Sequence, residues 1–264
     1  MDYRNITENK KEVSEPPQAV ILAAGQGTRM GKKTENKPKT LVEINGQPIL
    51  DFILNRVAEV GISNVTIVVG YLGDKIIDHI RNNNFRLNIN YIRNPIYQKT
   101  NSTYSLWLTR FSITNDIVVI NADTLFNVEI LTALIRENHD ISMCVDQTKS
   151  GKLPPDNMKV KIVDGLLKGA SKLLKPDESH GTAIGLYRFQ RYGLKALYSK
   201  LTELVNKGIV DQLFTHAVQS IMHNIDVHPV STFGLSWIEI DDVNDLALAS
   251  DIVQNIVLEE SEKS

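Results

Sequence analysis

Only one cysteine, Cys144, occurs in the 264 residues. No internal disulfide can form, and the composition suits a reducing cytoplasm, which is the expected location. Cys144 lies in Ile141-Ser-Met-Cys-Val, which reads as a buried strand, so an inert core thiol is expected rather than a nucleophile. Long apolar runs are missing too. None approaches the roughly eighteen residues of a membrane span, and no membrane insertion is expected. Residues 1–17 are polar and of mixed sign, lack the apolar centre of a secretory signal and end at Pro16-Pro17, so they are expected to form a flexible leader. Excess charge of one sign is absent as well: the formal net charge is -2. Such a chain has no global field for nucleic acid or an anionic membrane, and any phosphate binding has to be local. The six histidines are dispersed without ligand-like spacing, and each, His180 and His216 included, is expected to be a surface or core residue.

What is present is an ordinary globular composition, 42% hydrophobic and 23% charged, at a length that allows one elaborated α/β domain. Ala19-Val-Ile-Leu-Ala-Ala is a short unbroken apolar run before glycines, the mark of a buried parallel strand. Further strands are expected at Val65-Thr-Ile-Val-Val, Asn88-Ile-Asn-Tyr-Ile and Asp116-Ile-Val-Val-Ile, with helices from Pro48 to about Val60, Asp74 to Arg81, Ser102 onward and Val128 to Asn138. Alternation at this spacing predicts a doubly wound, mostly parallel Rossmann-like sheet, with ligands at the carboxyl ends of its strands. The second half reads as a smaller lid and flank. It holds a hairpin turning at Asp164-Gly165, a strand over Ala183–Phe189, helices near 192–206 and 210–222, strands over 225–230 and 235–240 that complete the sheet, and a last helix from Asp242 to about Leu258 before a charged tail, 259–264.

The first strand opens into Gly25-Gln-Gly-Thr-Arg-Met and then Lys37-Pro-Lys. Two glycines one residue apart let backbone N–H groups approach phosphate oxygens where a Cβ would collide. Thr28, Arg29, Lys37 and Lys39 add a hydroxyl and three cations, which together make a triphosphate cradle. Asp123 follows the strand at Val118-Val-Ile-Asn-Ala directly, while Glu239 and Asp241 share one face of Trp237-Ile-Glu-Ile-Asp. Carboxylates from two strand ends beside a phosphate cradle suit Mg²⁺, a hard ion that takes oxygen ligands. The alternative is that Asp123 and Asp242 cap the helices that follow them. A dehydrogenase fingerprint is a poor match, because Met30 stands where its third glycine belongs.

Leu22-Ala-Ala-Gly-Gln-Gly-Thr-Arg-Met followed by Lys37-Pro-Lys-Thr-Leu resembles the opening signature of nucleotide-sugar and related nucleotidylyltransferases. Asn94-Pro with Asn101-Ser-Thr-Tyr-Ser-Leu-Trp-Leu, Asn121-Ala-Asp with Leu125-Phe, Lys172 with Gly181-Thr-Ala-Ile-Gly-Leu-Tyr-Arg-Phe, and Trp237-Ile-Glu-Ile-Asp with Asp245-Leu are most similar to the bacterial phosphocholine cytidylyltransferases and their phosphonate-cytidylylating relatives. The resemblance runs from about Ala19 to Val253. It implies one domain over 18–258, with a nucleotide-binding half to about 140 and an acceptor-binding half after it. It also implies a Mg²⁺-dependent transfer of CMP from CTP to a small phosphorylated amine or alcohol, or to a phosphonate. Leu22, Ala23, Ala24, Gly25, Gln26, Gly27, Thr28, Arg29, Lys39, Asn94 and Asn101 are then the nucleotide-binding residues, Asp123 and Asp241 the metal ligands, and Arg29, Lys39, Asp123 and Lys172 the catalytic set. Tyr104, Ser105, Trp107, Lys172, Tyr187 and Glu239 would bind the acceptor. Lys175 competes with Lys172, and the aromatic residues of 104–107 have a core role as the alternative. Asn121 stands where an acid often precedes the metal aspartate, and Thr182 where the phosphonate branch commonly has glutamate, so the acceptor stays open. So does the oligomeric state, a homo-oligomer included. Other readings are a sugar-1-phosphate nucleotidylyltransferase using UTP, dTTP or GTP, and a catalytically silent nucleotide-binding regulator.

Overall fold

The apolar run at residues 18–23 lies inside a nine-stranded sheet in the computed structural model of the chain, which describes residues 16–113, 115–148 and 153–262. The expected leader falls outside the described residues except for its last two prolines. In chain order, β1 (Gln18–Ala23) is followed by the small hairpin of β2 (Glu43–Ile44) and β3 (Gln47–Pro48), then α1 (Ile49–Glu59), β4 (Asn64–Val69), α2 (Gly73–Asn82), β5 (Asn88–Arg93), α3 (Ser102–Leu108), β6 (Ile117–Asn121), β7 (Thr124–Phe126), α4 (Val128–Arg136) and β8 (Ile141–Asp146). The second half comprises β9 (Lys159–Val163), β10 (Leu166–Ser171), β11 (Gly181–Phe189), α5 (Arg191–Asn206), α6 (Thr215–Ile221), β12 (Val227–Ser231), β13 (Trp237–Glu239) and α7 (Val243–Ser261).

The sheet runs β10-β9-β11-β6-β1-β4-β5, with β8 beside β11 and β12 beside β8. β1 pairs in parallel with β4 and β6, and β11 enters antiparallel to β6, β8 and β9. This is the expected mostly parallel, doubly wound α/β fold. β1 can be apolar without interruption because both its faces are covered. Ala19, Ile21 and Ala23 pack into one core with α1, α4 and α7, while Val20 and Ala24 pack into the other with α3, α5 and α6. The expected hairpin turn is present: Asp164 and Gly165 both have positive φ, 51° and 77°, as a two-residue turn between β9 and β10 requires. Cys144 is buried in β8, and burial pushes its thiol pKa up, in keeping with an inert core thiol. Among the described residues no helix is long and apolar enough to cross a membrane.

Three sequence expectations are corrected. The helix expected from residue 210 begins only at Thr215, because residues 210–214 form a strap across the start of α3. The Asn101 and Thr103 amides donate to the Val210 and Gln212 carbonyls at 2.9 and 3.1 Å, and the Phe214 amide donates to Ser102 Oγ at 2.9 Å. Those bonds outweigh a continuous helix. The segment expected to complete the main sheet near 235–240 instead pairs as β13 with β7 in a separate two-stranded sheet. The last helix continues three residues past Leu258, since Glu259 and Glu260 belong to the packing and not to a charged tail. Glu260 accepts from Arg56 Nη2 at 2.6 Å and from the Val128 amide at the start of α4 at 2.9 Å, and Glu259 accepts from Asn127 Nδ2 at 3.0 Å. Glu260→Ala leaves a partly buried guanidinium and a helix-start amide without these bonds, and is expected to lower unfolding stability by about 1–3 kcal/mol in urea denaturation. An unchanged midpoint would show that the end of α7 contributes nothing to the fold.

Candidate active site

At the carboxyl end of β1 the chain turns sharply. Gly27 adopts the left-handed conformation, φ 62°, its carbonyl accepts from the Met30 amide at 3.0 Å, and the Met30 side chain is fully buried beneath the turn. Methionine at that position is therefore the anchor of a 3-10 turn over Thr28–Lys33. A Cβ on Gly27 would lie 2.9 Å from Lys39 Cβ, so the glycine is required by conformation and by the lysine stem packed against it. Lys39 starts a second short turn, Lys39–Leu41, pinned by the buried Thr40 and Leu41.

β6 ends at Asn121, and Asp123 follows. β13 lies antiparallel to β7 with Glu239 opposite Thr124, and the Ile240 amide donates to the Asp123 carbonyl at 2.9 Å. This small sheet brings Asp241 to Asp123 across more than a hundred residues of chain. Lys39 Nζ donates to Asp123 Oδ2 at 2.7 Å and to Asp241 Oδ1 at 3.2 Å, and Arg29 Nη2 lies 2.8 Å from the same Asp241 oxygen. Carboxylate oxygens of Asp123, Glu239 and Asp241 lie within 4.8 Å of one another, a spacing and a donor set that suit one hard divalent cation. Helix capping does not explain these acids. Asn127 caps α4, and Asp242 caps α7 in a reciprocal box with Asp245, so the capping alternative holds for Asp242 and fails for Asp123.

The local electrostatics follow from burial and these neighbours. Burial by itself lowers the Lys39 pKa, but Asp123 and Asp241 together outweigh it and hold the ammonium above its ordinary value. Burial, followed by the negative charges of Asp123 and Asp241, pushes the Glu239 carboxyl up to about 8.

A cleft of about 510 Å³ opens over these groups. Of the expected residues, Leu22, Ala23, Ala24, Gly25, Gly27, Thr28, Arg29, Lys39, Asn94, Asn101, Ser105, Asp123, Lys172, Tyr187, Glu239 and Asp241 line it. Asn94 is buried in its wall, donating to Thr100 Oγ1 and Ser105 Oγ at 2.9 and 3.1 Å and accepting from the Ile96 amide at 3.1 Å. Asn101 Oδ1 accepts from the Ser102 amide at the start of α3. These two asparagines thus shape the loop that bounds the cleft. Gln26, Tyr104 and Trp107 are not brought into the lining. Trp107 Nε1 donates to Thr202 Oγ1 on α5 at 3.1 Å, Arg110 stacks on its ring, and Tyr104 lies 5.4 Å from it, ring to ring. Trp107 thus packs against α5, and neither ring, though both were expected to wall the acceptor, lines the cleft. Lys175 pairs with Glu178 at 3.5 Å, whereas Lys172 reaches the cleft.

Sequence reasoning missed Phe214 and Thr215, which the strap delivers to the cleft, and Met158 and Gly185. Phe214 meets the Tyr187 ring edge-on at 4.8 Å. Its position in the sequence reads as the core face of a helix, so no local signal marks it. Gly185 has φ 88°, and a Cβ there would meet Asn121 and Thr124 at 2.8–3.0 Å; its spacing inside a strand was the one available hint.

The glycine turn, the paired cations and the converging acids thus meet at the carboxyl edge of a doubly wound sheet. The chain belongs to the MobA-like NTP transferase domain family, which matches residues 19–203. Over 241 residues it is 28% identical to a choline-phosphate cytidylyltransferase of Streptococcus pneumoniae, covering 90% of this chain and 98% of that one. A CTP:phosphoglutamine cytidylyltransferase of Campylobacter jejuni is 23% identical over 248 residues, 86% of this chain and 97% of that one. The solved structure of the inositol-1-phosphate CTP transferase from T. maritima shares the fold with a TM-score of 0.74, at 20% identity over 90% of this chain and 95% of that one. The resemblance found in the sequence is thereby borne out. Because Trp107 packs on α5 and away from the cleft, Trp107→Phe is expected to cost about 0.5–1.5 kcal/mol of stability, through its lost hydrogen bond, with KM for both substrates unchanged. A raised acceptor KM with unaltered stability would restore it to the site.

Proposed function

We propose that the chain transfers CMP from CTP to a small phosphorylated amine or alcohol, phosphocholine-like, or to a phosphonate, and releases pyrophosphate. The observation that carries this reading is the meeting of Lys39 with Asp123 and Asp241 beside the glycine turn. The choice of CTP is supported by the relatives named for it.

An acceptor phosphate or phosphonate oxygen attacks the α-phosphorus in line. A new P–O bond forms there, and the bond to the β-phosphate bridge breaks, its electron pair leaving with pyrophosphate. A phosphate monoester is already a nucleophile at neutral pH, so the site needs positive charge and alignment more than a general base. Backbone from Ala23 to Gly27 cradles the triphosphate, Arg29 faces the β- and γ-phosphates, and Lys39 faces the α-phosphate. Asp123 and Asp241, with Glu239 close enough to join them, would hold Mg²⁺, which when bound would supply further neutralisation of the phosphate charge. Lys172 lines the cleft, where its charge acts on Glu239, and from there it faces the acceptor anion. Tyr187 and Phe214 meet edge-on in the cleft lining, and their rings suit an amine or quaternary ammonium head.

The test is pyrophosphate release with each nucleoside triphosphate against phosphocholine, phosphoethanolamine, aminoethylphosphonate and hexose 1-phosphates, with and without Mg²⁺. Turnover is expected with CTP and a phosphorylated amine or phosphonate, only when Mg²⁺ is present. Activity confined to a hexose 1-phosphate with UTP, dTTP or GTP would replace this reading with the sugar-nucleotide one, and silence throughout would point to a regulator. Asp123→Asn and Lys39→Ala should each lower kcat by at least about 10²–10³ while the protein stays folded. Near-normal rates in either would refute the assignment.

A further inference from the structure

The acids assigned to the metal are already neutralised by the chain's own cations. Lys39 Nζ bridges Asp123 Oδ2 and Asp241 Oδ1 at 2.7 and 3.2 Å, and Arg29 adds its contact to the same Asp241 oxygen. The Lys39 side chain is only 12% exposed. Its stem rests on Gly27, where even one added carbon would come within 2.9 Å, and its backbone sits in a turn anchored by the buried Thr40 and Leu41. A surface lysine trades its partners for water at little cost; this one is confined between two carboxylates. One ammonium and one guanidinium offset the charges of the two aspartates, leaving Glu239 as the one further acid of the cluster. A divalent cation entering between those acids would meet two positive groups at contact range in a partly buried site, where repulsion is poorly screened.

We propose that Lys39 is an internal counter-ion that keeps the Asp123 and Asp241 site closed to divalent cations until a nucleoside triphosphate draws its ammonium away. The inference rests on the metal assignment above and deepens it. The cradle of Ala23 to Gly27 adjoins the Lys39 stem, so a polyanion bound there offers the ammonium phosphate oxygens in exchange for carboxylates. The vacated carboxylate oxygens then face the same phosphates, and metal and nucleotide bind with positive coupling beyond what the nucleotide's own chelation supplies. In the resting protein the acids are kept from drawing metal ions out of solution.

The probe is Mn²⁺, titrated into the nucleotide-free protein while the electron paramagnetic resonance signal of unbound Mn²⁺ is followed. Wild type is expected to bind weakly. Lys39→Met and Lys39→Gln, each checked for an intact thermal transition, are expected to bind on the order of tenfold more tightly, and adding Asp123→Asn to Lys39→Met should abolish the gain. If neither Lys39 variant binds Mn²⁺ more tightly than wild type, the counter-ion role is overturned. A companion titration with CTP present compares wild type with Asp123→Asn and separates the two claims. Mn²⁺ binding that depends on Asp123 there, without a gain in the Lys39 variants, sinks the counter-ion alone; binding indifferent to Asp123 in both titrations sinks the metal assignment with it.

Discussion

The ammonium of Lys39 held between Asp123 and Asp241 is the contact on which the site depends, because it joins segments 84 and 202 residues apart. Each partner is delivered by a different part of the fold. Lys39 comes from the short turn after the glycine loop, Asp123 from just past the end of the central strand β6, and Asp241 from just past β13, which pairs with β7 outside the main sheet. Burying such charges is unfavourable unless each finds a partner. The convergence therefore constrains how the amino-terminal and carboxyl-terminal halves assemble around one cleft.

The two sides of that cleft differ in kind. The side built from Ala23 to Arg29 offers backbone amides and cations, groups that recognise phosphate whatever is attached to it. The rest of the lining includes the rings of Tyr187 and Phe214, the thioether of Met158, Lys172 and Glu239. Those groups reach the cleft from a strap, a strand and a hairpin flank, none with a motif of its own.

What the sequence disclosed follows the same division. β1 was legible because a run of apolar residues just before two closely spaced glycines has few other physical meanings, and the acids were legible because they sit directly at strand ends. Cys144 was read correctly from its apolar neighbours alone. The errors share one cause, which is long-range pairing overriding local pattern. Residues 210–214 have the composition of a helix start but are taken by hydrogen bonds to α3, and β13 has the pattern of a sheet strand but finds its partner in β7. For Trp107 the sequence left an acceptor wall and a core role both open, and the hydrogen bond to Thr202 on α5 is a contact the sequence does not show. Glu259 and Glu260 look like tail residues until Arg56 and Asn127 are placed beside them.

The most direct test of the central claim is a double-mutant cycle on unfolding stability across Lys39 and Asp123, using Lys39→Met, Asp123→Asn and the pair in the absence of nucleotide and metal. A partly buried ion pair in this geometry is expected to show a coupling energy of about 1 kcal/mol or more. Additive losses, with coupling indistinguishable from zero, would contradict the account by showing that the lysine and the aspartate do not meet in the folded protein.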